Sequence, residues 1–583
     1  MTLLALPVLM LLNSCNLNVE HPPRVPAGFE PSSGYASDHH DPPPADSTAA
    51  RLLRNQLGSS STQPSLSAWP EKVRRLTGRF YASHDYGLAW MNNGELSPHA
   101  RSLLTDLCRP DRDGLEVAAA RPASLTSALD QYAEEPSDTT TAELDFQLTA
   151  AFMRYSDQFL GGRVDPEKVS SEVYIKPPRI PLDSVLTDLL SRPAPKSFAP
   201  AMLPGYREYE RLEQALVHYR EISDEGGWPA IDEGHLLKPK DTDGRVPTLR
   251  RRLAFTGDMD EDLVEDDSLY DTKVQAALAH FQRRHGLEID SLLGPATLKA
   301  LNVPVEDRIR QIELSLEHWR WLPRRLGERY VIVNIPAFEI EAYDHGEPIL
   351  TMKTVVGAEM DSKRTPVFSD LMEYVVFRPY WYVPEDIVRR EIVPHIEKDA
   401  SYLKDHGYEV IDADNKIIDP RRVDLDEIED GTYRVRQLPG RGNSLGLVKF
   451  VLPNRHNIYL HDTPADYLFD KTERDFSHGC IRLEDPVRFA EFILGPQGWS
   501  TADIESAMEG ERQVVNLETP VPVYIVYLSA FVAKDGTVSF RDDIYGFDAA
   551  LDRTLAESDR RDLAQADTSR ASCEQVERAL DKL

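Results

Sequence analysis

Cysteine is scarce in this sequence. The 583 residues include only Cys15, Cys108, Cys480 and Cys573. This scarcity excludes the class of small secreted domains that depend on several disulfides. If Cys480 remains a thiol, at most one disulfide can form among the other three positions. A bridge between Cys108 and Cys573 is one possibility, and two separate buried thiols are the simpler expectation.

Positive charge is also in short supply. The chain has 66 Lys and Arg against 97 Asp and Glu, which gives a formal net charge of -31, and no basic stripe offsets it. Such a charge repels phosphate backbones and anionic lipid surfaces, so we expect no nucleic-acid partner. The partner must tolerate acidity, as a neutral or zwitterionic polymer does.

Long hydrophobic runs are absent from the sequence. The apolar run at residues 3–12 is too short to cross a bilayer, and Cys15 follows it closely. This segment resembles a lipoprotein export signal, so we predict a signal at residues 1–15 and membrane attachment through a lipidated Cys15. A buried N-terminal segment and an ordinary signal peptide are the alternatives.

The length predicts several folded units, because a single core stops growing well below 583 residues. Hydrophobic residues make up 41% of the chain, which is enough to bury several cores. We therefore expect an α+β multidomain chain. Its predicted segments are a signal at 1–15, a disordered tether at 16–67, a helical scaffold at 68–245, a small three-helix domain at 246–303, a mainly β catalytic domain at 329–495 with a helical lid insertion at 384–428, an extension at 496–552 that returns to the scaffold or the catalytic domain, and a tail at 553–583.

Local patterns underlie these boundaries. Residues 16–67 are rich in Pro, Ser and Asp and show no sustained apolar period, which predicts a solvated tether. Leu278 and Phe281 fall on one face of a helix that should end at Gly286. After residue 328 the period changes from helical to that of strands, and a charged, Pro-punctuated insertion at 384–428 is typical of a lid.

The densest cluster of reactive side chains is Ser477-His478-Gly479-Cys480, with His461 upstream of it. A thiol becomes a nucleophile when its thiolate is stabilised or when a base removes the proton, and histidine suits that task. Gly479 allows a tight turn, which would direct the amides of Gly479 and Cys480 into an oxyanion pocket. The cluster therefore predicts a cysteine nucleophile.

Two alternatives remain open on residue chemistry alone. His456, His461, His478 and Cys480 could together bind zinc, although zinc sites generally have more closely paired ligands. A lone cysteine can also be a small buried hydrophobic residue with no chemical role.

The sequence resembles two known domains. His461, a spacer of fifteen residues and Ser477-His478-Gly479-Cys480 resemble the signature of the L,D-transpeptidase catalytic domain. The run at 277–287, together with residues 290, 294 and 297, resembles the small three-helix peptidoglycan-binding domain. The likeness to large L,D-transpeptidases with a helical scaffold and a lid covers roughly residues 69–548.

The resemblance implies specific roles at the site. Cys480 would be the acylated nucleophile and His461 the base that activates it. The amides of Gly479 and Cys480 would bind the oxyanion, and His478 and Ser477 would shape that pocket. The residues that would line the substrate groove are Tyr459, Arg482 and Trp381.

The implied reaction cross-links peptidoglycan, with a donor tetrapeptide and an acceptor stem peptide as partners and with no metal or cofactor. Water as acceptor would give an L,D-carboxypeptidase, and a protein lysine would give attachment of a lipoprotein. A non-catalytic wall-binding scaffold is a further alternative. We expect the protein in the periplasm, anchored to the outer membrane if Cys15 is lipidated.

Overall fold

The computed structural model describes residues 47–58, 69–92, 94–108, 123–202, 205–260, 267–360, 363–399, 401–533, 535–565 and 573–582. The predicted signal and Cys15 lie outside these ranges. No helix in the described part of the chain combines the length and apolar character needed to span a membrane.

A bundle of helices forms the predicted scaffold. Its central helix, Asp138–Gly161, begins at a capping box in which the Ser137 and Thr140 side chains accept each other's backbone N–H. Side chains on nearly all its faces are buried, as expected of a helix surrounded by others. The helices that pack against it are Thr48–Gly58, Glu71–Ser83, Pro98–Leu107, Ala123–Glu134, Leu182–Leu190 and Ala199–Met202.

The predicted disordered tether contains one of these helices. Thr48–Gly58 packs on Asp138–Gly161 and buries Ala49 and Leu53. The tether prediction is therefore wrong for residues 48–58. The helix has only 11 residues, so its apolar period is hidden between Pro- and Ser-rich neighbours. The rest of the predicted tether, apart from residue 47, lies outside the described residues.

The predicted tail also joins the scaffold. After the helix Phe547–Gln565, the helix Cys573–Lys582 packs against Ala123–Glu134 and shares its core. The Cys573 thiol donates a hydrogen bond to the Cys108 carbonyl oxygen at 3.4 Å. Both cysteines are thiols in this structure, but they are neighbours and not the separate pair that was expected.

The small domain contains the three predicted helices around their own core, namely Val246–Phe255, Thr272–Arg284 and Pro295–Leu301. The Asp271 carboxylate caps the second of them by accepting the N–H groups of Lys273 and Val274. Gly286 follows its end with a φ of 64°, the left-handed conformation that the sequence predicts there.

The mainly β domain is a sheet that closes into a barrel. Its strands, in spatial order, are Glu347–Gly357, Ile481–Leu483, Leu460–His461, Val448–Val451, Phe368–Phe377, Gln513–Val526, Arg329–Asn334 and Glu339–Asp344, which pairs back with Glu347–Gly357. A further strand, Asp475–Ser477, runs parallel to Glu347–Gly357. The helices Arg207–Asp224 and Val305–Arg320 pack on each other and contribute to the same core as the barrel.

The predicted end of the catalytic domain at residue 495 is wrong. The strand Gln513–Val526 is one of the barrel strands, and it pairs antiparallel with Phe368–Phe377 and parallel with Arg329–Asn334. Its pairing register shifts between Asn516 and Val521, where Glu-Thr-Pro interrupts the apolar alternation. Because of this interruption, the sequence pattern revealed only the second half of the strand.

The lid insertion has a fold of its own. Its antiparallel sheet contains, in order, Trp381–Tyr382, Arg434–Gln437, Tyr408–Ile411 and Ile417–Ile418. Its helical segments are Glu385–Ile387, Val388–Ile392 (a π-helix), Val393–Lys398, Tyr402–Asp405, Pro420–Arg422 (a 3-10 helix) and Leu425–Glu429. The lid was predicted to be helical and to end at 428, but it runs from 381 to 437 and includes this sheet. Its strands have at most four residues, too few to show a period of two.

Candidate active site

Two adjacent parallel strands bring the predicted site residues to one face of the barrel. Leu460 pairs with Ile481, and both side chains are fully buried. Side chains alternate along a strand, so the residues on either side of this pair point to the opposite face. The residues on that face are Tyr459, His461, Cys480 and Arg482.

A third strand adds a cation to this face. Lys449 pairs with His461 across the antiparallel ladder and therefore shares its side of the sheet. The Lys449 Nζ lies 3.9 Å from the centroid of the Tyr459 ring, within the range of a cation–π interaction. Burial lowers the pKa of Lys449, while the nearby charge of a Cys480 thiolate acts to raise it.

His461 is held as a neutral imidazole with one nitrogen available as a base. Its Nδ1 lies 2.5 Å from the Asp462 carbonyl oxygen, which can only accept, so Nδ1 carries the proton and Nε2 has the lone pair. Burial of the ring, followed by the charge of Arg482, lowers the pKa of His461 to about 3. At neutral pH His461 is thus in the form that a general base requires.

The Cys480 thiol is protonated in this conformation. It is half-buried and donates a hydrogen bond to the Asn457 carbonyl oxygen at 3.6 Å. Burial raises the pKa of Cys480, although a backbone hydrogen bond from Tyr459 and the charges of Lys449 and Arg482 act in the opposite direction. The contacts of the described residues include no hydrogen bond between Cys480 and His461, the residue that the resemblance implies as its base. A turn of the thiol away from Asn457 is therefore needed before proton transfer.

Tyr459 links the thiol to the lid. Its pKa is raised well above the ordinary value by burial, by the charge of a Cys480 thiolate and by a side-chain hydrogen bond to Cys480. A hydrogen bond between Tyr459 and Trp381 acts in the opposite direction. Trp381 is half-buried in the first strand of the lid, so the predicted groove residues Tyr459 and Trp381 do meet beside the sulfur.

The turn that carries Cys480 is closed by Ser477. The Ser477 Oγ donates to the Cys480 carbonyl oxygen at 2.6 Å and accepts the Gly479 N–H at 3.1 Å. Gly479 has a φ of 106°, which favours glycine. The prediction that both amides line an oxyanion pocket needs correction, because the Gly479 N–H is already bonded. The Cys480 N–H has no partner among the described residues.

An ion-pair cluster joins the lid to this turn. The Glu391 carboxylate, in the π-helix of the lid, lies 2.6 Å from the His478 Nε2 and 3.3 Å from the Lys363 Nζ. Burial acts to raise the pKa of Glu391, but hydrogen bonds and charge from His478 and Lys363 outweigh it and lower the pKa. His478 therefore contacts the lid and does not face the sulfur.

The geometry does not favour the zinc alternative. His456 packs against the Tyr174 ring at 4.0 Å between centroids and also contacts Phe368, while His478 bonds to Glu391. These histidines thus face different neighbours. In the ranges that the structure describes, no group of three or more His, Cys, Asp or Glu side chains is arranged to hold a metal ion.

Sequence reasoning gave no role to three residues at the site. Lys449 is a charged residue between Val448 and Phe450 in a strand, and this unusual position was the available signal. Asn457 adopts a φ of 57°, a conformation that asparagine tolerates better than most residues. No local sequence pattern indicates a role for Glu391, because this residue reaches the turn only through the tertiary fold.

Comparisons with known proteins agree with this architecture. Residues 328–525 match the model of the L,D-transpeptidase catalytic domain, and residues 75–216 match that of the scaffold domain. Residues 242–301 match the model described as "Putative peptidoglycan binding domain". Three successive segments of the chain therefore match the models of a scaffold domain, a peptidoglycan-binding domain and an L,D-transpeptidase catalytic domain, which are the domains that the sequence resemblance predicted.

Individual relatives cover the chain in part. A "Putative L,D-transpeptidase" of Haemophilus influenzae is 31% identical over 223 residues, which are 38% of this chain and 45% of that protein. The match thus spans less than half the length of this curated relative. A crystal structure of the L,D-transpeptidase from Xylanimonas cellulosilytica is 15% identical, with a TM-score of 0.17, and the match covers 50% of this chain and 98% of that chain.

Proposed function

We propose that the protein is a cysteine-dependent L,D-transpeptidase that links meso-diaminopimelate to meso-diaminopimelate in peptidoglycan. The main support is the shared face of the barrel, where His461 ends one strand and Cys480 immediately precedes the adjacent parallel strand. The Cys480 N–H has no partner among the described residues, and the charges of Lys449 and Arg482 act on the Cys480 sulfur. This set matches the needs of acyl transfer, namely a nucleophile, a base and charge stabilisation.

In the first step, His461 Nε2 takes the thiol proton and the Cys480 sulfur attacks the carbonyl carbon at the L-centre of diaminopimelate. The Cys480 N–H stabilises the oxyanion that forms. The C–N bond to the terminal D-Ala then breaks, and the proton on His461 passes to the leaving amine. The products of this step are free D-Ala and a thioester on Cys480.

In the second step, the side-chain amine of diaminopimelate on a neighbouring stem attacks the thioester. His461 accepts a proton from that amine and returns it to the sulfur as the C–S bond breaks. The result is a new amide bond and a regenerated thiol. Water in place of the amine gives hydrolysis, and a protein lysine gives attachment of a protein.

The peptidoglycan-binding domain supports a polymeric wall substrate, which the acidic chain tolerates. A peptidoglycan substrate implies a periplasmic enzyme. Anchoring to the outer membrane through Cys15 stays a prediction, because Cys15 lies outside the described residues.

The direct test is to incubate the purified full chain with tetrapeptide-bearing muropeptides and to analyse the products by mass spectrometry. We expect loss of D-Ala and a dimer joined through two diaminopimelate residues, with an acyl-enzyme on Cys480. Cys480→Ala should form neither, while Cys573→Ala, at a thiol in the C-terminal helix, should form both.

The product decides between the alternatives. Release of D-Ala without a dimer would identify a carboxypeptidase. Transfer only to a lysine-containing acceptor peptide would identify protein attachment. Absence of any acyl-enzyme on the wild-type chain would contradict the catalytic proposal and favour the wall-binding scaffold.

A further inference from the structure

A buried threonine holds the peptide bond next to the nucleophile. The Thr365 Oγ1 donates to the Gly479 carbonyl oxygen at 2.8 Å and accepts the Gly357 N–H at 2.8 Å. Thr365 is 0% exposed, so no solvent competes for these bonds. The hydroxyl therefore joins the end of the strand Glu347–Gly357 to the turn that carries Cys480.

This contact fixes the direction of the Cys480 amide. A peptide bond is planar and trans, so its C=O and N–H point in opposite directions. Fixing the Gly479 carbonyl oxygen on Thr365 therefore directs the Cys480 N–H away from Thr365. The space around Gly479 is also tight, because a Cβ there would lie 3.1 Å from the Ile458 side chain and 3.4 Å from the Arg364 carbonyl oxygen.

A tyrosine from the C-terminal extension holds Thr365 in turn. The Tyr545 hydroxyl accepts the Thr365 N–H at 3.3 Å and donates to the Gly357 carbonyl oxygen. Tyr545 is only 4% exposed, and its own N–H donates to the Tyr527 hydroxyl at 2.9 Å. The segment around Tyr545 thus connects, through Thr365, to the peptide bond that precedes the nucleophile.

We infer that Thr365 and Tyr545 are positioning residues that direct the Cys480 N–H to the place where the oxyanion forms. This inference rests on the proposed acyl transfer. Neither side chain needs to touch the substrate. The C-terminal extension thereby becomes part of the catalytic apparatus, although it follows the nucleophile by more than sixty residues in the chain.

The test compares two reactions of the same thiol in the full-length protein. Acylation by the carbapenem imipenem passes through an oxyanion, whereas alkylation by iodoacetamide does not. The variants are Thr365→Val, which keeps the side-chain shape but removes the hydroxyl, Thr365→Ser, which restores it, and Tyr545→Phe. Both rates at Cys480 are measured by intact-mass and peptide mass spectrometry, and folding is monitored by thermal unfolding.

We expect Thr365→Val to lower the ratio of acylation to alkylation rates by roughly 10- to 100-fold, which is less than the loss of an entire oxyanion donor. Thr365→Ser should restore this ratio to within about threefold of wild type, and Tyr545→Phe should lower it by roughly 3- to 10-fold. If Thr365→Val does not fold, the ratio of acylation to alkylation rates in Tyr545→Phe tests the inference in its place.

Two results would overturn the inference. One is an unchanged ratio in Thr365→Val and Tyr545→Phe, and the other is a Thr365→Ser variant that loses as much as Thr365→Val. A wild-type chain that is alkylated but never acylated would instead contradict the proposed function, and the inference would fall with it.

Discussion

The barrel and the lid hold the active site by different means. On the barrel side, Leu460 and Ile481 pair in adjacent strands and are fully buried, and they are the sequence neighbours of His461 and Cys480. Burial of one such aliphatic side chain contributes about 2 kcal/mol. On the lid side, the Glu391 carboxylate is 42% exposed and its His478 partner 31%. Exposed pairs of this kind contribute about 0 to 1 kcal/mol.

This difference suggests that the barrel determines the chemistry of the site and that the lid determines access to it. The groups that would move protons and charge lie on a buried ladder, where their geometry is hard to change. The lid has its own hydrophobic core and meets the catalytic turn through polar contacts. Substitutions on the barrel should therefore change the rate of acylation, whereas substitutions at the lid contact should change opening.

The largest effect is expected at His461, on the barrel. His461→Asn removes the Nε2 lone pair that accepts the thiol proton, so acylation by imipenem should fall by roughly 10²- to 10⁴-fold. Intact-mass kinetics measures this rate. His345→Asn, at a hairpin side chain that is 75% exposed, should react like wild type. A His461→Asn rate within threefold of wild type would sink the assignment of His461 as the base.

The pH dependence of Cys480 alkylation tests the charge state of the barrel face. Burial raises the pKa of Cys480, so the thiolate is a minor form at neutral pH and grows as pH rises. The iodoacetamide rate should therefore rise continuously from pH 7 to pH 9, by up to about tenfold per pH unit. His461, with a pKa of about 3, should give no inflection between pH 5 and 8. A plateau below pH 8 would instead indicate a preformed thiolate–imidazolium pair.

A smaller effect is expected at Lys449. Its charge acts to lower the pKa of Cys480, so Lys449→Met should reduce the thiolate fraction by roughly 3- to 10-fold while keeping the aliphatic stem. Alkylation rates at pH 8 measure this change. Lys416→Met, at an exposed position of the lid, provides the matched control. Equal rates in the two variants would mean that Lys449 does not act on the sulfur.

The sequence indicated which side chains of the candidate site lie together more clearly than it indicated the surrounding fold. His461 lies in a strand and Cys480 directly precedes the neighbouring strand, and a short sequence motif contains both the turn and the reactive side chains. The helix Thr272–Arg284 of the small domain was equally readable, because it is a local element with a clear apolar face. In these regions the residues that determine the local structure are close together in the sequence.

Features that depend on distant parts of the chain were missed. The strand Gln513–Val526 is interrupted by Glu-Thr-Pro, and only its pairing with Phe368–Phe377 identifies it as a barrel strand. The bonds from Thr365 to the catalytic turn and from Glu391 to His478 join residues that the sequence gives no reason to associate. The Gly479 amide was assigned to the oxyanion pocket because its bond to Ser477 could not be foreseen from the motif.

The smallest expected effect lies at the lid contact. Glu391→Gln keeps the size of the side chain but removes the charge that binds His478 and Lys363. A loss of at most about 1 kcal/mol corresponds to roughly a fivefold rise in the open population. Amide hydrogen exchange in residues 388–398 should therefore accelerate by up to that factor, and the pH slope of Cys480 alkylation should stay unchanged. Glu397→Gln, exposed in the same insertion, should exchange like wild type. Unchanged exchange in Glu391→Gln, or equal acceleration in both variants, would show that this ion pair does not hold the lid.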